Sequence, residues 1–331
     1  MKTMNLGWGE AVCIRKAFLE TSNKQILFDI KTLENLGYAD HFGDPALVAL
    51  TRKVIKRQIG KEYDHILITN GATGGVTIAL RSFSGWLPSC ITRDPPYFRL
   101  FPDMIRAAGM FQVHENSDTY KEHYKSSVYL VDSLTNPFGT FSEKKYNYVC
   151  SPIVWDATYY GNVYAPGNHP QPDHDILVGS YSKLTGLNGV RLGWIATNDS
   201  LRYERMKRLV DGEYCSLSAA SIKIVMDTAG QFTERDWSLF EKKAQNKLDD
   251  NRTEFSKLEK FFGGTPVPKY GMFYYAEMDS TCKKLFEKSG IVWSPGSDLG
   301  TNDDFGRFNI GQDVKSVKEA VSTVLKNDKR Y

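Results

Sequence analysis

The stretch GSYSKLTGLNGVRLGW, residues 179–194, decides the fold and raises the main functional question. It continues the apolar run DILVGSYS, so Lys183 directly follows a predicted strand, with Arg191 and glycines at 186, 189 and 193 behind it. In open α/β sheets, ligands bind at the carboxyl ends of the strands. A lysine amine there can form a Schiff base with an aldehyde. Taken alone, Lys183 is interpreted equally well as an exposed lysine at a strand end.

Short apolar runs alternate with turns and helix-like segments through the middle of the chain. The predicted strands lie in HILIT, CITRD, SVYLVDSL, YVCSPIVWDA, DILVGSYS and WIAT. This alternation is typical of a mostly parallel sheet with helices on both faces, which is a three-layer α/β sandwich. The charged segment 233–262 then predicts a long linking helix that stops at Gly263, and a small α+β unit follows.

These patterns predict three parts of the chain. Residues 1–45 form an N-terminal segment that joins the small domain, residues 46–262 form the large domain with the linking helix, and residues 263–331 form the small C-terminal α+β domain. A length of 331 residues suits such a division.

Composition excludes several classes of function. Forty-two basic and 39 acidic residues leave a formal charge of +3 with no basic stripe, which argues against nucleic acid as a partner. No signal peptide and no apolar run of membrane-spanning length is found, so we expect a cytoplasmic protein with no membrane partner. Five scattered cysteines and six histidines show no ligand spacing, so we expect buried thiols and no metal.

The turn NGATGG after HILIT has neither the Walker spacing nor the dinucleotide fingerprint, which disfavours a nucleotide or NAD enzyme. Asp156 ends another apolar run and offers a carboxylate at a strand end. Such a carboxylate would keep a pyridine ring protonated, although alone it could simply cap a helix.

The segment SYSKLTGLNGVRLGW resembles the S-x-S-K-x-x-G-x-x-G-x-R-x-G-W motif of pyridoxal-phosphate enzymes with the aspartate aminotransferase fold, fold type I, class I/II branch. The resemblance covers nearly the whole chain. It implies pyridoxal 5'-phosphate as the cofactor, Lys183 as the Schiff-base lysine, Ser180 as a phosphate ligand and Arg191 as the cationic clamp of the phosphate.

Further motifs of the same family occur in the same order. The resemblance implies a phosphate-binding turn in TNGATGG, donors to the 3'-oxygen of the ring in NPFG and DATYY, a carboxylate on the ring nitrogen in DATYY and a stacking ring in DPPYF. The residues concerned are Gly71, Ala72, Thr73, Asn136, Tyr159, Asp156 and Tyr97. Tyr97 has an alternative interpretation as a tyrosine of the core.

The two ends of the chain resemble the family as well. GYADHFGDPAL resembles a segment that crosses a homodimer interface, which implies that Tyr38 reaches the phosphate in the neighbouring subunit and that the active site is shared. GRFNIG resembles a feature of the family's small domain, which implies Arg307 for the α-carboxylate of an amino acid. Taken alone, an arginine on a strand is usually a surface charge. Gly7 and Trp8 in NLGWGE fall where the family lines the substrate, with ordinary packing as an equal alternative for the tryptophan.

The stretch from DATYY to WIATND is similar to the subgroup that contains plant tryptophan aminotransferases and alliin lyases. This chain departs from it in lacking a cysteine-rich N-terminal module, in its shortness, and in having Thr158 where many members place alanine. We therefore expect an aminotransferase that moves an amino group between an L-amino acid and a 2-oxo acid. The alternatives are a β-eliminating C–S lyase and, outside the enzymes, a regulatory or binding protein that has kept the fold.

Overall fold

The computed structural model describes residues 3–22, 37–141 and 151–328. The strands in these ranges are β1 Met4–Asn5, β2 His65–Thr69, β3 Ser89–Thr92, β4 Phe111–His114, β5 Ser127–Asp132, β6 Ile153–Asp156, β7 Ile176–Ser180, β8 Gly193–Thr197, β9 Phe273–Glu277, β10 Ile291–Val292, β11 Ser294–Pro295 and β12 Phe305–Asn309. The α-helices are α1 Val12–Thr21, α2 Pro45–Ile59, α3 Gly71–Arg81, α4 Phe101–Ala107, α5 Tyr120–His123, α6 Tyr181–Leu184, α7 Ser200–Tyr214, α8 Ala219–Asp227, α9 Glu234–Phe255, α10 Ser280–Lys288 and α11 Val314–Asn327.

Seven strands form the central sheet in the order β2-β8-β7-β6-β5-β3-β4. Strand β8 is antiparallel to both of its neighbours, and the other pairs are parallel. The carboxyl ends of β2, β3, β5, β6 and β7 therefore lie at one edge, where the amino end of β8 also lies. The predicted α/β class with a mostly parallel sheet is confirmed.

Side chains alternate across this sheet and build a hydrophobic core on each face. Ile68 and Leu177 belong to the core formed with α1, α2, α8 and α9. Leu67 and Val178, their neighbours along the same strands, belong to the core formed with α3, α4 and α7. Successive residues of a strand point to opposite faces, so runs such as HILIT are apolar throughout because both faces are covered. The result is the expected three-layer sandwich.

The long helix α9 is fastened to α2 by a buried ion pair. Arg57 donates from Nε and Nη2 to the two carboxylate oxygens of Glu241, at 2.9 and 2.7 Å. Glu241 is 6% exposed, and Gln58 donates to the same carboxylate at 2.8 Å. Two parallel hydrogen bonds to one carboxylate fix direction as well as distance, so α9 is held at a defined angle.

A second layered unit follows α9. The predicted linking helix ends as an α-helix at Phe255 and continues as a tighter 3-10 helix to Phe262, with Gly263 in the left-handed conformation after it. Strands β11, β12 and β9 form an antiparallel sheet, and α10 and α11 contribute to its core.

The beginning of the chain contacts this second unit, since β1 pairs in parallel with β10, with Met4 opposite Ile291. The domain boundaries proposed from the sequence stay predictions. None of the described helices is both long enough and apolar enough to cross a membrane.

Candidate active site

One cavity of about 710 Å³ opens at the carboxyl edge of the central sheet. Its walls come from the strand ends, from the start of α3, from the first residues of the chain and from β12. Most of the residues singled out in the sequence line it, namely Gly7, Trp8, Ala72, Thr73, Asn136, Asp156, Tyr159, Ser180, Lys183, Arg191 and Arg307. Positions spread over three hundred residues are thus brought to one place.

Lys183 projects into the cavity from the short helix α6, directly after β7. Ser180 caps this helix by accepting from the backbone N–H of Ser182 at 3.1 Å, which fixes the turn between strand and lysine. The amine donates to the backbone oxygen of Gly9. Burial lowers the pKa of Lys183 to about 8, and the nearby positive charges of Arg307 and Arg191 act in the same direction. A substantial fraction of the amine is therefore neutral near physiological pH.

Asp156 ends β6 beside the end of β5, in register with Asp132. Its carboxylate accepts from the backbone N–H of Thr158 at 3.0 Å. Burial raises the pKa of Asp156 to about 6; the hydrogen bonds from Thr158 act against this, and the negative charge of Asp132 acts with it. A cation placed next to Asp156 would favour the ionised carboxylate.

Asp132 is a cavity residue that the sequence reasoning missed. Its carboxylate lies 3.1 Å from Nε of Arg93 and accepts from the backbone N–H of Asn136 at 3.1 Å. The second contact holds the turn that presents Asn136. Asp132 ends an apolar run in the sequence, as Asp156 does, and this position at a strand end could have identified it as a site residue.

The start of α3 and Arg191 together form a cradle for an anion. The side chain of Asn70 makes no capping hydrogen bond, so the first N–H groups of the helix are free of a side-chain cap. Gly71 has φ +69°, and a Cβ on it would lie 2.6 Å from Nη2 of Arg191. At Gly193, a Cβ would lie 2.8 Å from the backbone N of Ala72. Both glycines thus allow the helix start and the guanidinium to approach each other.

Two polar residues of the same turn complete the cradle. Arg191 donates to the Ser182 hydroxyl at 3.3 Å and to the backbone oxygen of Asn188 at 3.2 Å. The side-chain oxygen and nitrogen of Asn188 are both buried at the cavity without a hydrogen-bond partner among the described residues. A buried unpaired amide is costly, so a polar ligand at this position would stabilise it. Asn188 occupies one of the x positions of the motif, where any residue is allowed, so the motif gave no reason to single it out.

Asn136 and Tyr159 lie on the far side of the cavity. Asn136 is buried, and its Oδ1 accepts from Nη1 of Arg307 at 3.1 Å. Burial raises the pKa of the Tyr159 hydroxyl, while the charge of Arg307 acts against that rise. The amine of Lys183 lies 5.9 Å from the centre of the Tyr159 ring. Both side chains can therefore donate a hydrogen bond into the cavity.

Arg307 of β12 is a buried cation whose hydrogen-bond partners are neutral. It is 5% exposed, and its Nη2 donates to the backbone oxygen of Gly7 at 3.0 Å and to the Ser294 hydroxyl at 3.1 Å. Its Nε has no partner among the described residues, and the guanidinium lies 4.4 Å from the Phe273 ring centre. Burial lowers the pKa of Arg307. An unpaired buried charge is unfavourable, so this site favours an anionic ligand.

The structure places Tyr97 in a hydrophobic core, in line with the alternative interpretation of this residue, and its stacking on the cofactor stays a prediction. Its ring is 7% exposed and stacks on His114 at a centroid distance of 5.7 Å, in the core rather than at the cavity. The next residue, Phe98, lines the cavity instead. Neighbouring side chains in a non-helical segment point in different directions, and the motif DPPYF did not distinguish the two rings.

Two other predicted residues lie outside the cavity lining. Gly71 is behind it, where its missing side chain makes room for Arg191. Tyr38 is 91% exposed on the surface of this chain.

Residues 13–324 match the family model for aminotransferase class I and II. The chain belongs to this aminotransferase family. It is 26% identical over 239 residues to tryptophan aminotransferase-related protein 2 from Arabidopsis thaliana, a match that covers 64% of this chain and 54% of that protein. It is 23% identical over 283 residues to (5-formylfuran-3-yl)methyl phosphate transaminase from Methanocaldococcus jannaschii, which covers 79% of this chain and 74% of that protein.

Solved structures support the aminotransferase fold. An aromatic aminotransferase from Pyrococcus horikoshii superposes with a TM-score of 0.77 at 20% identity, over 98% of this chain and 95% of that one. An aspartate aminotransferase from Thermus thermophilus superposes with a TM-score of 0.78 at 14% identity, over 98% and 91%. In this family member the cavity thus combines an amine, a carboxylate and two cationic sites.

Proposed function

We propose that this chain is a pyridoxal 5'-phosphate-dependent aminotransferase that moves an amino group between an L-α-amino acid and a 2-oxo acid. The observation that carries the proposal is the single cavity in which the partly neutral amine of Lys183 faces a carboxylate and an anion cradle. Membership of the aminotransferase family supports it.

The cavity residues fit this cofactor. The uncapped start of α3 at Gly71, Ala72 and Thr73, together with Ser180 and Arg191, would hold the phosphate, because helix N-termini and guanidinium groups both stabilise anions. The unpartnered amide of Asn188 adds a donor at the same end.

The ring would lie between the cradle and Arg307. Asp156 would face the ring nitrogen, Asn136 and Tyr159 the 3'-oxygen, and Phe98 would cover one face. When bound, pyridoxal phosphate supplies an aldehyde that amines attack and a protonated ring that accepts electrons from the substrate. Burial raises the pKa of Asp156 to about 6, and a cationic ring nitrogen beside it would favour the ionised carboxylate.

Lys183 would carry the proton between reacting atoms. A pKa of about 8 lies close to the pH at which a general base must both take and release a proton. Its Nζ would take the proton from the substrate Cα and would deliver it to C4', the carbon that carries the aldehyde of the cofactor. The helix cap at Ser180 restricts where this amine can reach.

Arg307 would bind the α-carboxylate of the substrate. Its guanidinium is fixed by contacts with Asn136, Gly7 and Ser294, so a carboxylate would meet a cation already oriented. The carboxylate would supply the negative charge that Arg307 lacks among its partners, and the contact would hold Cα in front of Lys183.

The remaining cavity wall favours an apolar or aromatic substrate side chain. Its apolar members are Trp8, Phe98, Leu100, Phe101, Val292 and Trp293, and the charged residues Glu10, Arg99 and Asp298 line the cavity as well. Aromatic rings offer large contact areas for apolar groups.

We further propose that the functional unit is a homodimer with a shared site. Tyr38 supports this, because a tyrosine that is 91% exposed on one chain is free to contact a second copy. The cytoplasmic location stays a prediction from the sequence.

The half-reaction with single amino acids tests the function. The holoenzyme is mixed with each of the twenty amino acids without an acceptor, and the absorbance change from the aldehyde to the amine form of the cofactor is followed. We expect conversion with some amino acids and none in Lys183→Ala. Formation of a new amino acid after adding 2-oxoglutarate or pyruvate completes the test. Release of ammonia and pyruvate without any acceptor would instead identify a β-eliminating lyase.

A further inference from the structure

A second cluster of chemically reactive side chains lies away from the cavity. Its members are His41, Asp211 and Cys215, here called the His41 cluster, and none of them lines the cavity. His41 Nδ1 lies 2.6 Å from Oδ1 of Asp211, and His41 Nε2 lies 3.8 Å from Sγ of Cys215. One ligand atom of each side chain lies within 4.8 Å of the other two.

The hydrogen bond to Asp211 determines which face of the imidazole is available. A carboxylate next to Nδ1 favours the proton on that nitrogen, so the lone pair of Nε2 points toward Cys215. This is the carboxylate–histidine arrangement found behind metal-bound histidines, in which the carboxylate orients the ring and raises its basicity. The His41 cluster therefore presents a nitrogen and a sulfur ligand side by side.

The separation of these two atoms suits zinc. With Zn–S of about 2.3 Å and Zn–N of about 2.0 Å, a tetrahedral angle places the two ligands about 3.5 Å apart. The observed 3.8 Å requires almost no movement. A thiolate and an imidazole select borderline-soft cations over Mg²⁺ or Ca²⁺, which prefer oxygen ligands.

The thiol of Cys215 is accessible to a ligand. Cys215 is exposed, whereas Cys13, Cys90 and Cys282 are buried. It follows α7 with φ 54° and ψ −54°, in a turn closed by a hydrogen bond from the backbone N–H of Ser216 to the backbone oxygen of Tyr214.

We propose that the His41 cluster binds Zn²⁺ through His41 Nε2 and Cys215 Sγ, with Asp211 orienting the imidazole and water completing the coordination. The ion would join residues 37–44 to the end of α7. Besides the contact between His41 and Asp211, a hydrogen bond from the Ser216 hydroxyl to the backbone oxygen of Ala39 at 3.0 Å already joins them. Because Tyr38 precedes Ala39, the ion would also fix the position of this exposed tyrosine.

Metal content measured on the holoenzyme tests the proposal. The protein is dialysed against Zn²⁺, with Mg²⁺ in a parallel sample, and bound metal is determined by mass spectrometry. We expect one more zinc ion per chain in the wild type than in Cys215→Ser or His41→Ala, and no gain with Mg²⁺. His65→Ala is the matched control, because His65 bonds to Ser200 elsewhere on the surface and its loss should leave zinc content unchanged.

The orienting carboxylate gives a graded test. Asp211→Asn should weaken zinc binding by about 10- to 100-fold without abolishing it, since the two ligands remain.

A chemical readout covers the case in which a variant fails to fold. Zn²⁺ should slow the alkylation of Cys215 in the wild-type protein, as followed on the peptide that contains it. Equal zinc content in the wild type and in the folded Cys215→Ser variant, or alkylation of Cys215 at the same rate with and without zinc, would overturn the proposal. Neither result would affect the proposed aminotransferase activity.

Discussion

Replacing Gly71 by alanine should weaken cofactor binding through Arg191 rather than through loss of the fold. An alanine in the left-handed conformation costs about 1–2 kcal/mol, and Gly71 has φ +69°. The new Cβ would lie 2.6 Å from Nη2 of Arg191, a distance too short for any real contact. The guanidinium is the end of a flexible side chain, so it would move out of the cradle instead of disrupting the backbone.

The size of the effect follows from the contact that is lost. A hydrogen bond to a charged group contributes about 1.5–3 kcal/mol, so displacing Arg191 from the phosphate should raise the Kd for pyridoxal phosphate by about 10- to 100-fold. The assay is a titration of cofactor-depleted protein with the cofactor, together with a thermal melt.

Gly60→Ala is the matched control. Gly60 ends α2 with φ +75°, and a Cβ on it would have no neighbour within 4 Å. Both variants should therefore lose similar stability from the same backbone strain, and only Gly71→Ala should lose cofactor affinity. Equal cofactor affinity in the two variants would refute the proposal that the start of α3 and Arg191 bind the phosphate of the cofactor.

Three further predictions concern the ring, the amine and the buried ion pair. Phe98→Leu should lower cofactor affinity by about two- to tenfold through lost stacking, whereas Tyr97→Leu should lower the melting temperature without changing affinity. The pKa of Lys183 is about 8 against an ordinary 10.5, so the neutral amine is lost as the pH falls below 8. The rate at which the cofactor attaches to the cofactor-free chain should therefore fall about tenfold per pH unit below pH 8 and level off above it. A rate that does not change with pH would contradict this assignment. Glu241→Gln should cost about 1.5–3 kcal/mol in chemical denaturation, because it removes the buried carboxylate from Arg57 and leaves the exposed Glu234 as its remaining carboxylate partner. The exposed Glu62→Gln should change stability little by comparison.

Much of the fold was predictable because the buried strands are continuous apolar runs. HILIT and DILVGSYS coincide closely with β2 and β7, since strands covered on both faces leave few polar positions. Strand β4 was missed because it lies at the sheet edge, where Phe111 is 46% exposed and the pattern is mixed. The extent of the helix after residue 233 was predictable, but its change to a 3-10 helix was not.

Placement of the site was predictable only where a motif fixes a residue at a strand end. Asp156 ends β6 and Lys183 lies three residues after the end of β7, so topology places them together. The positions of Phe98 and Ser294 at the cavity depend on local backbone geometry that the neighbouring sequence does not determine. The His41 cluster lay beyond reach for a different reason: His41 and Asp211 are 170 positions apart, so no ligand spacing exists to be found.

Hydrogen bonds join the first ten residues to β12, and this affects the order in which the enzyme can fold during synthesis. Asn309 donates to the backbone oxygens of Trp8 and Glu10, and Arg307 donates to that of Gly7. Gly7 is thus synthesised 300 residues before its partner Arg307. The residues of the proposed phosphate cradle precede β12 in the chain, whereas the proposed carboxylate site needs Arg307 and the contacts of Asn309. A nascent chain that stops before β12 would therefore carry the proposed cofactor site without the proposed substrate site.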